Sequence, residues 1–219
     1  MKFTILGERC SGTNFLIESI INNFDLELTW EYGFKHFFGY NKFENSDDTI
    51  FIGIIRNPYE WLCSFYKNPH QLPEHLKTSF LHFLSKEFYS VYNDTNIEYD
   101  NDHNFINDNK RYTNIFELRN VKCKYLLETI PNLVKNYYLI KYEDLRDNYE
   151  YVLKSIAKKF NLIPKNKIYQ EITYYKDQYN KLFNKHIYIN DLSPQFIRYI
   201  SNNLNHDLEI KLGYDIIKV

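Results

Sequence analysis

The stretch K-F-T-I-L-G-E-R-C-S-G-T-N-F, residues 2–15, decides the fold. Its first five residues form a mostly apolar run that is too short for a helix and stops at Gly7, as a buried parallel strand does. From Thr13 to Asn23 the apolar residues recur at helical spacing, so a helix follows the turn. A strand, a glycine turn and a helix N-terminus direct backbone N–H groups and the positive end of the helix dipole toward an anion. The stretch therefore predicts a phosphate-binding loop.

A second stretch of this kind is R-N-P-Y-E-W-L-C-S, Arg56–Ser64. It follows the apolar run Thr49–Ile55, which predicts a buried strand, and Pro58 suits the first turn of the helix after it. Arg56 ends the strand and Ser64 lies about two helical turns further on. A guanidinium fork and a hydroxyl group can both donate to one terminal phosphate. Two such sites on one sheet predict a ligand that is phosphorylated at both ends.

The rest of the chain continues the alternation of strands and helices. Further strands are predicted at Leu26–Trp30 and Tyr137–Lys141, helices at Pro73–Phe88, Ile115–Ile130, Tyr149–Phe160, Pro194–Asn203 and Leu208–Lys211, and a mobile loop or lid at Asn93–Tyr112. This alternation predicts a three-layer α/β/α fold with a mainly parallel central sheet. A chain of 219 residues is expected to form a single domain, 1–219.

Composition excludes several classes of function. Hydrophobic residues make up 44% of the chain and charged residues 25%, which is typical of a globular protein, and the net charge of −1 argues against general nucleic-acid binding. The three cysteines have neither metal-ligand spacing nor a disulfide pattern, so no metal site is expected. A strand begins almost at the first residue and no apolar run approaches membrane-spanning length. We therefore expect a soluble, cytoplasmic protein with no membrane partner.

The loop at Cys10–Asn14 lacks the lysine that a nucleoside-triphosphatase P-loop places before its final Ser or Thr, which argues against hydrolysis of ATP or GTP. It resembles instead the 5′-phosphosulfate loop of sulfotransferases that use 3′-phosphoadenosine 5′-phosphosulfate (PAPS), which reads Ser-Gly-Thr, then Thr or Asn, then a bulky residue. The segment Arg56–Ser64 resembles the 3′-phosphate motif of the same family. Tyr142–Leu145 and Lys211–Tyr214 resemble two further family segments.

This resemblance implies a P-loop NTPase-like sulfotransferase fold with PAPS as the sulfate donor and no required metal. The reaction would move a sulfuryl group to a hydroxyl on a small molecule or glycan, with a carbohydrate as the favoured acceptor. The implied donor-binding residues are Cys10, Ser11, Gly12, Thr13, Asn14 and Phe15 at the 5′ end, with Arg56 and Ser64 at the 3′-phosphate.

The resemblance also suggests residues for catalysis. In the carbohydrate branch the base lies in the loop after the second strand, where His36 is the first choice because a neutral imidazole accepts a proton near neutral pH. Glu31 and His70 are competing bases. Many family members carry a lysine where this chain has Cys10, so Arg9 or Lys35 would supply the missing positive charge.

An acceptor pocket walled by Trp30, Tyr32 and Phe34 is a further hypothesis. Two other functions remain open at this point. One is a P-loop nucleotide kinase or other phosphotransferase, against which the missing loop lysine argues. The other is a non-catalytic descendant of the fold that binds a nucleotide or a glycan, which the missing lysine favours.

Overall fold

The computed structural model describes residues 1–40, 42–92, 95–175, 178–182 and 188–218. The strands are β1 Lys2–Leu6, β2 Glu27–Leu28, β3 Thr49–Ile55, β4 Tyr137–Lys141, β5 Tyr174–Tyr175 and β6 Gln178–Leu182. The α-helices are α1 Thr13–Asn23, α2 Pro58–Lys67, α3 Glu74–Lys77, α4 Phe80–Ser85, α5 Ile115–Lys124, α6 Ile130–Leu133, α7 Tyr142–Asp147, α8 Tyr149–Phe160, α9 Pro194–Asn203 and α10 His206–Lys211. Two 3₁₀ turns lie at Asp100–Asp102 and Tyr188–Asp191, and a π-helical turn at Tyr125–Thr129.

The chain divides into two compact units. The first unit comprises the described residues of Met1–His36, Asn41–Arg56 and Glu128–His186. The second comprises those of Phe37–Tyr40, Asn57–Leu127 and Ile187–Val219. The first unit therefore contains all the strands and the predicted loop after β1.

The first unit is built on a parallel sheet. Four strands lie in the order β2-β1-β3-β4 and every neighbouring pair is parallel, with Phe3 opposite Ile50 and Ile52 opposite Tyr138. The strands β1, β3 and β4 have the bounds that the apolar runs predict. The prediction of an α/β protein with a mainly parallel sheet is confirmed. The antiparallel pair β5–β6 forms a separate two-stranded sheet that the sequence did not predict.

The core of the first unit lies between this sheet and three helices. Because alternate residues of a strand point to the same face, one face of β1 and β3 is a continuous apolar surface. Helices α1, α7 and α8 cover it. The buried residues that meet there include Phe3, Ile5, Ile50, Ile52 and Ile54 from the strands and Leu16, Ile20, Leu145, Leu153 and Ile156 from the helices.

Several predicted elements are shorter or divided. The predicted strand Leu26–Trp30 is only two residues long. The predicted helix Pro73–Phe88 is two short helices, because the Ser79 side chain accepts a hydrogen bond from the His82 N–H and starts α4 there. The predicted helix Ile115–Ile130 ends its α-helical part at Lys124 and continues as a π-helical turn. Pro131 has no N–H to donate to the preceding turn, and this favours the irregular geometry.

The described part of the predicted loop Asn93–Tyr112 is held in place within the second unit. Residues 93 and 94 lie outside the described residues. The backbones of Phe88 and Tyr112 exchange hydrogen bonds of 2.8 and 3.1 Å. The carboxylate of Asp102 is fully buried and accepts hydrogen bonds from Lys122 and Ser90. These contacts anchor the segment between its ends.

The second unit is otherwise helical. Its buried residues include Trp61, Phe65, Phe83, Leu84 and Leu118. The guanidinium group of Arg119 binds both carboxylate oxygens of Glu209 at 2.6 and 2.8 Å, although both side chains are almost fully buried. Among the described residues of both units, none of the helices combines the length and the apolar character needed to cross a bilayer.

Candidate anion-binding site

The candidate site lies at the carboxyl edge of the parallel sheet. From the end of β1 the chain passes through α1 to β2 on one side, whereas from the end of β3 it proceeds to β4 on the other side. Adjacent strands whose connections diverge in this way leave a crevice at their carboxyl ends, which is where open α/β sheets bind ligands. The loop Gly7–Gly12 and the side chain of Arg56 follow these two strands.

Two glycines let the loop approach its neighbours closely. A Cβ atom on Gly7 would lie 2.6 Å from Cγ2 and 2.7 Å from the carbonyl oxygen of Ile54. A Cβ on Gly12 would lie 2.4 Å from Cδ2 of Tyr142, and Gly12 has a φ of 95°, in the left-handed region. The loop therefore packs directly on β3 and on the first residue of α7, with no room for a side chain at either glycine.

Hydrogen bonds within the loop fix its turn. The backbone N–H of Ser11 donates to the carbonyl oxygen of Glu8 over 3.1 Å, and the buried Ser11 hydroxyl donates to the same oxygen. Cys10 adopts a φ of 62°. A non-glycine residue in this conformation costs about 1–3 kcal/mol and persists only where its surroundings hold it. The loop is thus a rigid turn that leads into α1.

The start of α1 has no side-chain cap. Gly12 occupies the N-cap position and has no side chain that could accept a hydrogen bond from the first turn, and that turn contains no acidic residue. Helix α2 of similar length differs, because the Asn57 side chain accepts from the N–H groups of Tyr59 and Glu60. The first N–H groups of a helix have no acceptor within the helix. An anion is the ligand that suits the uncapped, positive end of α1.

Arg56 joins the loop to the end of β3. Its Nη1 atom donates to the carbonyl oxygen of Cys10 over 3.0 Å, and its guanidinium carbon lies 4.4 Å from the ring centroid of Tyr142. Arg56 is only 5% exposed. A guanidinium group stacked on an aromatic ring and tied to the loop is held in a fixed orientation.

Lys35 lies at the first turn of α1. Its ammonium group donates to Oδ1 of Asn14, and its carbonyl oxygen accepts from the N–H of Gly7 over 2.9 Å. Lys35 is only 7% exposed. The segment after β2 therefore brings a buried cation to the helix N-terminus that follows the loop.

Arg9, the other candidate cation, is bound to its neighbour. Its Nε atom donates to Oε1 of Glu8 over 2.8 Å, and its backbone N–H donates to the same oxygen over 2.7 Å. The Arg9 side chain is fully buried. The Glu8 carboxylate offsets the charge of Arg9, so of the two cations that the sequence suggested, Lys35 is the one placed at the start of α1.

His36 is bound to the first residue of the loop. Its Nδ1 atom lies 2.7 Å from the carbonyl oxygen of Gly7. A carbonyl oxygen only accepts, so Nδ1 carries the proton and a neutral His36 would accept through Nε2. Burial lowers the pKa of His36 well below its ordinary value of 6.5, and this outweighs the opposing effect of Glu8. His36 is therefore a neutral imidazole at neutral pH.

The remaining predicted donor-binding residues are placed as follows. Thr13 is buried at the first position of α1. Phe15 is in the hydrophobic core, where its ring lies 6.4 Å from that of Tyr142 and 5.9 Å from that of Tyr149. Ser64 is buried on α2 in the second unit. The prediction that Ser64 shares a phosphate with Arg56 stays a prediction.

The competing bases lie in other surroundings. Glu31 is exposed and forms an ion pair of 2.7 Å with Lys2. His70 is exposed in the second unit, where its Nδ1 atom lies 3.0 Å from the carbonyl oxygen of Asn68. For His36 the structure records a contact with the loop.

The three aromatic residues suggested as an acceptor pocket differ in their exposure to solvent. Trp30 and Phe34 are 38% and 42% exposed, and their ring centroids are 5.4 Å apart. Tyr32 is buried, packs on Phe51 with a centroid distance of 5.2 Å, and donates its hydroxyl to the carbonyl oxygen of Asn45. Of these three rings, those of Trp30 and Phe34 present aromatic surface to solvent, and the Phe34 ring contacts His36 edge to face at 5.4 Å.

Sequence reasoning missed two residues of the site, Tyr142 and Glu8. The ring of Tyr142 packs against the guanidinium group of Arg56 and against Gly12. The sequence signal for this residue was its position directly after the apolar run of β4, because the carboxyl ends of parallel strands lie at one edge of the sheet. Glu8 offsets the charge of Arg9, and only the three-dimensional contact reveals this.

Within the described ranges, no three His, Cys, Asp or Glu side chains are grouped so that they could hold a metal ion. Comparison with known proteins adds no relative, because no protein-family model matches the chain and no curated protein matches it significantly. The assignment of the site therefore depends on its own geometry and on the sequence motifs.

Proposed function

We propose that this chain is a PAPS-dependent sulfotransferase with a P-loop-like α/β fold. The observation that carries the proposal is the hydrogen bond from Arg56 to the carbonyl oxygen of Cys10, because it brings together the two segments in which the sequence motifs lie. A kinase-type loop would carry its own lysine, and here the sequence Cys10–Asn14 has none.

The residues present fit a nucleotide that bears a phosphate at each end. The uncapped first turn of α1, with Ser11, Gly12, Thr13 and Asn14, would hold the 5′-phosphosulfate through backbone N–H groups and hydroxyls. Arg56 would bind the 3′-phosphate, as its motif implies. The two glycines supply the close backbone approach that such a cradle needs.

The bound donor supplies an activated sulfuryl group, whose S–O bond to the 5′-phosphate breaks as a new S–O bond to the acceptor oxygen forms. Lys35 would stabilise the negative charge left on the phosphate oxygen, because its ammonium group lies beside the first turn of α1. His36 would take the acceptor's hydroxyl proton on Nε2, while its Nδ1–H bond to Gly7 fixes the tautomer. Trp30 and Phe34 would border the acceptor, which the resemblance favours as a carbohydrate.

One observation also favours a second function. Lys35 places an ammonium group at the helix that follows the loop, so a nucleotide phosphotransferase with its lysine supplied by another segment fits the same geometry. It differs from the first proposal in the donor that it needs, which is ATP with Mg²⁺.

Release of the desulfated donor, 3′-phosphoadenosine 5′-phosphate (PAP), tests the proposal. The purified chain would be incubated with PAPS and, separately, with ATP and Mg²⁺, each with a panel of methyl glycosides and phenols, and the nucleotide products separated by ion-pair chromatography. We expect PAP release that depends on an acceptor, together with a sulfated product by mass spectrometry. Acceptor-dependent formation of ADP would support the phosphotransferase, and PAP binding without any turnover would identify a non-catalytic descendant.

A further inference from the structure

Two isoleucines in the segment that follows α8 are unusually exposed. Ile163 is 87% exposed and Ile168 is 78% exposed, and in the described part of the chain no other large hydrophobic side chain reaches either value. Single exposed apolar residues are common on protein surfaces, but here two highly exposed isoleucines lie within six residues of each other in the sequence.

Hydrogen bonds anchor the backbone of the segment that carries these two isoleucines. The N–H of Lys165 donates to the carbonyl oxygen of Asn23 over 2.9 Å, and the N–H of Gln170 donates to Oδ1 of Asn23 over 2.7 Å. The N–H of Leu162 donates to the carbonyl oxygen of Ala157 over 2.9 Å. These bonds fix the segment at both ends on the first unit, so Ile163 and Ile168 are presented to solvent by a held loop.

Exposed lysines lie close to the two isoleucines in the sequence. Lys158 and Lys159 lie in the last turn of α8, and Lys165 and Lys167 lie between the isoleucines. The sequence has no acidic residue between Glu150 and Glu171, in a chain whose net charge is −1.

Asp25 faces one of these lysines from another element. Asp25 lies 3.3 Å from the ammonium group of Lys165, which also donates to the carbonyl oxygen of Ile21. Asp25 therefore offsets the charge of Lys165. The ammonium group of Lys159 lies 5.3 Å from the ring centroid of Tyr138 on β4. Lys158 and Lys167 remain as the cations that give this surface its positive sign.

We propose that Ile163, Ile168, Lys158 and Lys167, the lysine–isoleucine surface, dock the protein reversibly on a membrane that contains anionic lipids. Aliphatic side chains enter the boundary between headgroups and acyl chains, while lysines beside them bind lipid phosphates and carboxylates. This proposal is independent of the donor site. It differs from the expectation drawn from the sequence, because a peripheral contact needs no spanning run and becomes visible only from the exposure of individual side chains.

A lipid surface suits these residues better than a nucleic acid does. Proteins that bind single strands combine lysines with exposed aromatic rings on which bases stack. Here the aromatic residues of the segment, Phe160 and Tyr169, pack against the core, and the Tyr169 ring lies 6.0 Å from that of Phe24. The exposed apolar groups are aliphatic, and an aliphatic group gains from leaving water for acyl chains.

Vesicle sedimentation of the full chain tests the proposal. The probes are phosphatidylcholine vesicles with and without phosphatidylserine, at low and at high salt. Two double variants remove one half of the surface each, Ile163→Ser with Ile168→Ser and Lys158→Gln with Lys167→Gln. The matched control is Ile97→Ser with Ile106→Ser, which replaces two isoleucines that are 67% and 60% exposed in the second unit. Circular dichroism checks that every variant is folded.

We expect binding to the anionic vesicles at low salt, little binding to pure phosphatidylcholine, and loss at high salt. Each lysine raises the affinity for an anionic surface about fivefold, so the lysine variant should bind these vesicles at least about tenfold more weakly. The affinity of the isoleucine variant should fall by a similar factor, and that of the control should not change. Absence of binding by the native chain would overturn the proposal. Equal loss in the control would also overturn it. Binding that survives serine at both isoleucines would overturn it as well, because such binding needs only the lysines, and an acidic protein or RNA would then compete with the vesicles.

Discussion

Arg56 and Cys10 are joined by a hydrogen bond of 3.0 Å from Nη1 to the backbone carbonyl oxygen. The bond connects the carboxyl end of β3 to the loop that follows β1, although the two residues lie 46 positions apart. Because Arg56 also stacks on Tyr142, a single guanidinium group connects the ends of three neighbouring strands. The loop conformation and the position of the charge are therefore determined together.

Lys35 should affect turnover more than donor binding. Replacing Lys35 with Met removes the ammonium group at the start of α1, and we expect kcat for PAP release to fall about 10²–10³-fold, since charge stabilisation of this kind acts mainly in the transition state. The dissociation constant for PAP should change only a few-fold. Steady-state kinetics and calorimetry measure the two effects. Lys86→Met, on an exposed residue after α4, is the matched control, and parallel losses of turnover and PAP binding would contradict the assigned role.

His36 should make stability depend on pH in a defined direction. Its pKa is well below 6.5 in the folded state because it is buried, so as the pH falls below about 6.5 the unfolded chain takes up a proton that the folded chain does not. The free energy of unfolding should therefore be highest above that pH and should fall as the pH decreases, by at most about 1.4 kcal/mol per pH unit from this residue.

Urea unfolding between pH 5 and pH 8 of the native chain and of His36→Asn measures this effect. The asparagine amide can still donate to the carbonyl oxygen of Gly7, but it does not titrate. The variant should lose less stability than the native chain as the pH is lowered. Identical slopes for the two proteins would show that His36 titrates normally in the folded state.

Gly12 should not tolerate a side chain. The Gly12→Ala substitution forces an alanine into a φ of 95° and places its Cβ against the ring of Tyr142, so we expect the free energy of unfolding to fall by about 3 kcal/mol. In the background Tyr142→Leu the ring contact is absent, and the same substitution should cost about half as much. Chemical denaturation of the four proteins gives this double-mutant cycle. Equal costs in the two backgrounds would mean that backbone strain alone opposes the alanine.

The buried pair Arg119–Glu209 should behave as a unit. Arg119→Met leaves the Glu209 carboxylate buried without its guanidinium partner, and we expect a loss of about 3–5 kcal/mol in the free energy of unfolding. The double variant Arg119→Met with Glu209→Leu should recover most of that loss, because it removes both charges. Urea unfolding of both variants measures this. A double variant as unstable as the single one would show that packing around Trp61, on which the guanidinium lies, dominates instead.

The core of the first unit was accessible from the sequence because its elements are locally encoded. The bounds of β1, α1, β3 and β4 follow from apolar runs and periodicity, which the structure reproduces residue for residue. The predicted helix at Pro73–Phe88 was wrong as one element, since periodicity alone did not show that Ser79 would cap a new helix. The short β2 depends on a pairing partner distant in sequence, with Glu27 opposite Lys2 of β1, and a local pattern does not specify such a partner. The pair β5–β6 is local, with Tyr175 opposite Gln178, and the sequence analysis did not assign it.

The candidate site was predictable only where one segment supplies both geometry and chemistry. The loop from Gly7 to Gly12 meets that condition, because glycines, strand and helix are consecutive. Tyr142 and Glu8 act through contacts with residues on other segments or through a buried pair, so their roles became visible only in three dimensions. The different surroundings of Arg9 and Lys35 likewise became visible only in three dimensions, since the Glu8 carboxylate binds the first and the Asn14 side chain accepts a hydrogen bond from the second.

Calorimetric titration with PAP tests the central claim most directly. The comparators are adenosine 5′-phosphate and ATP with Mg²⁺, the test variant is Arg56→Ala, and Arg198→Ala, an exposed arginine on α9, is the matched control. The account predicts PAP binding in the micromolar range, much weaker binding of ligands without the 3′-phosphate, and loss of PAP binding in Arg56→Ala but not in Arg198→Ala. Equal or tighter binding of ATP, or no binding of PAP by the native chain, would contradict it.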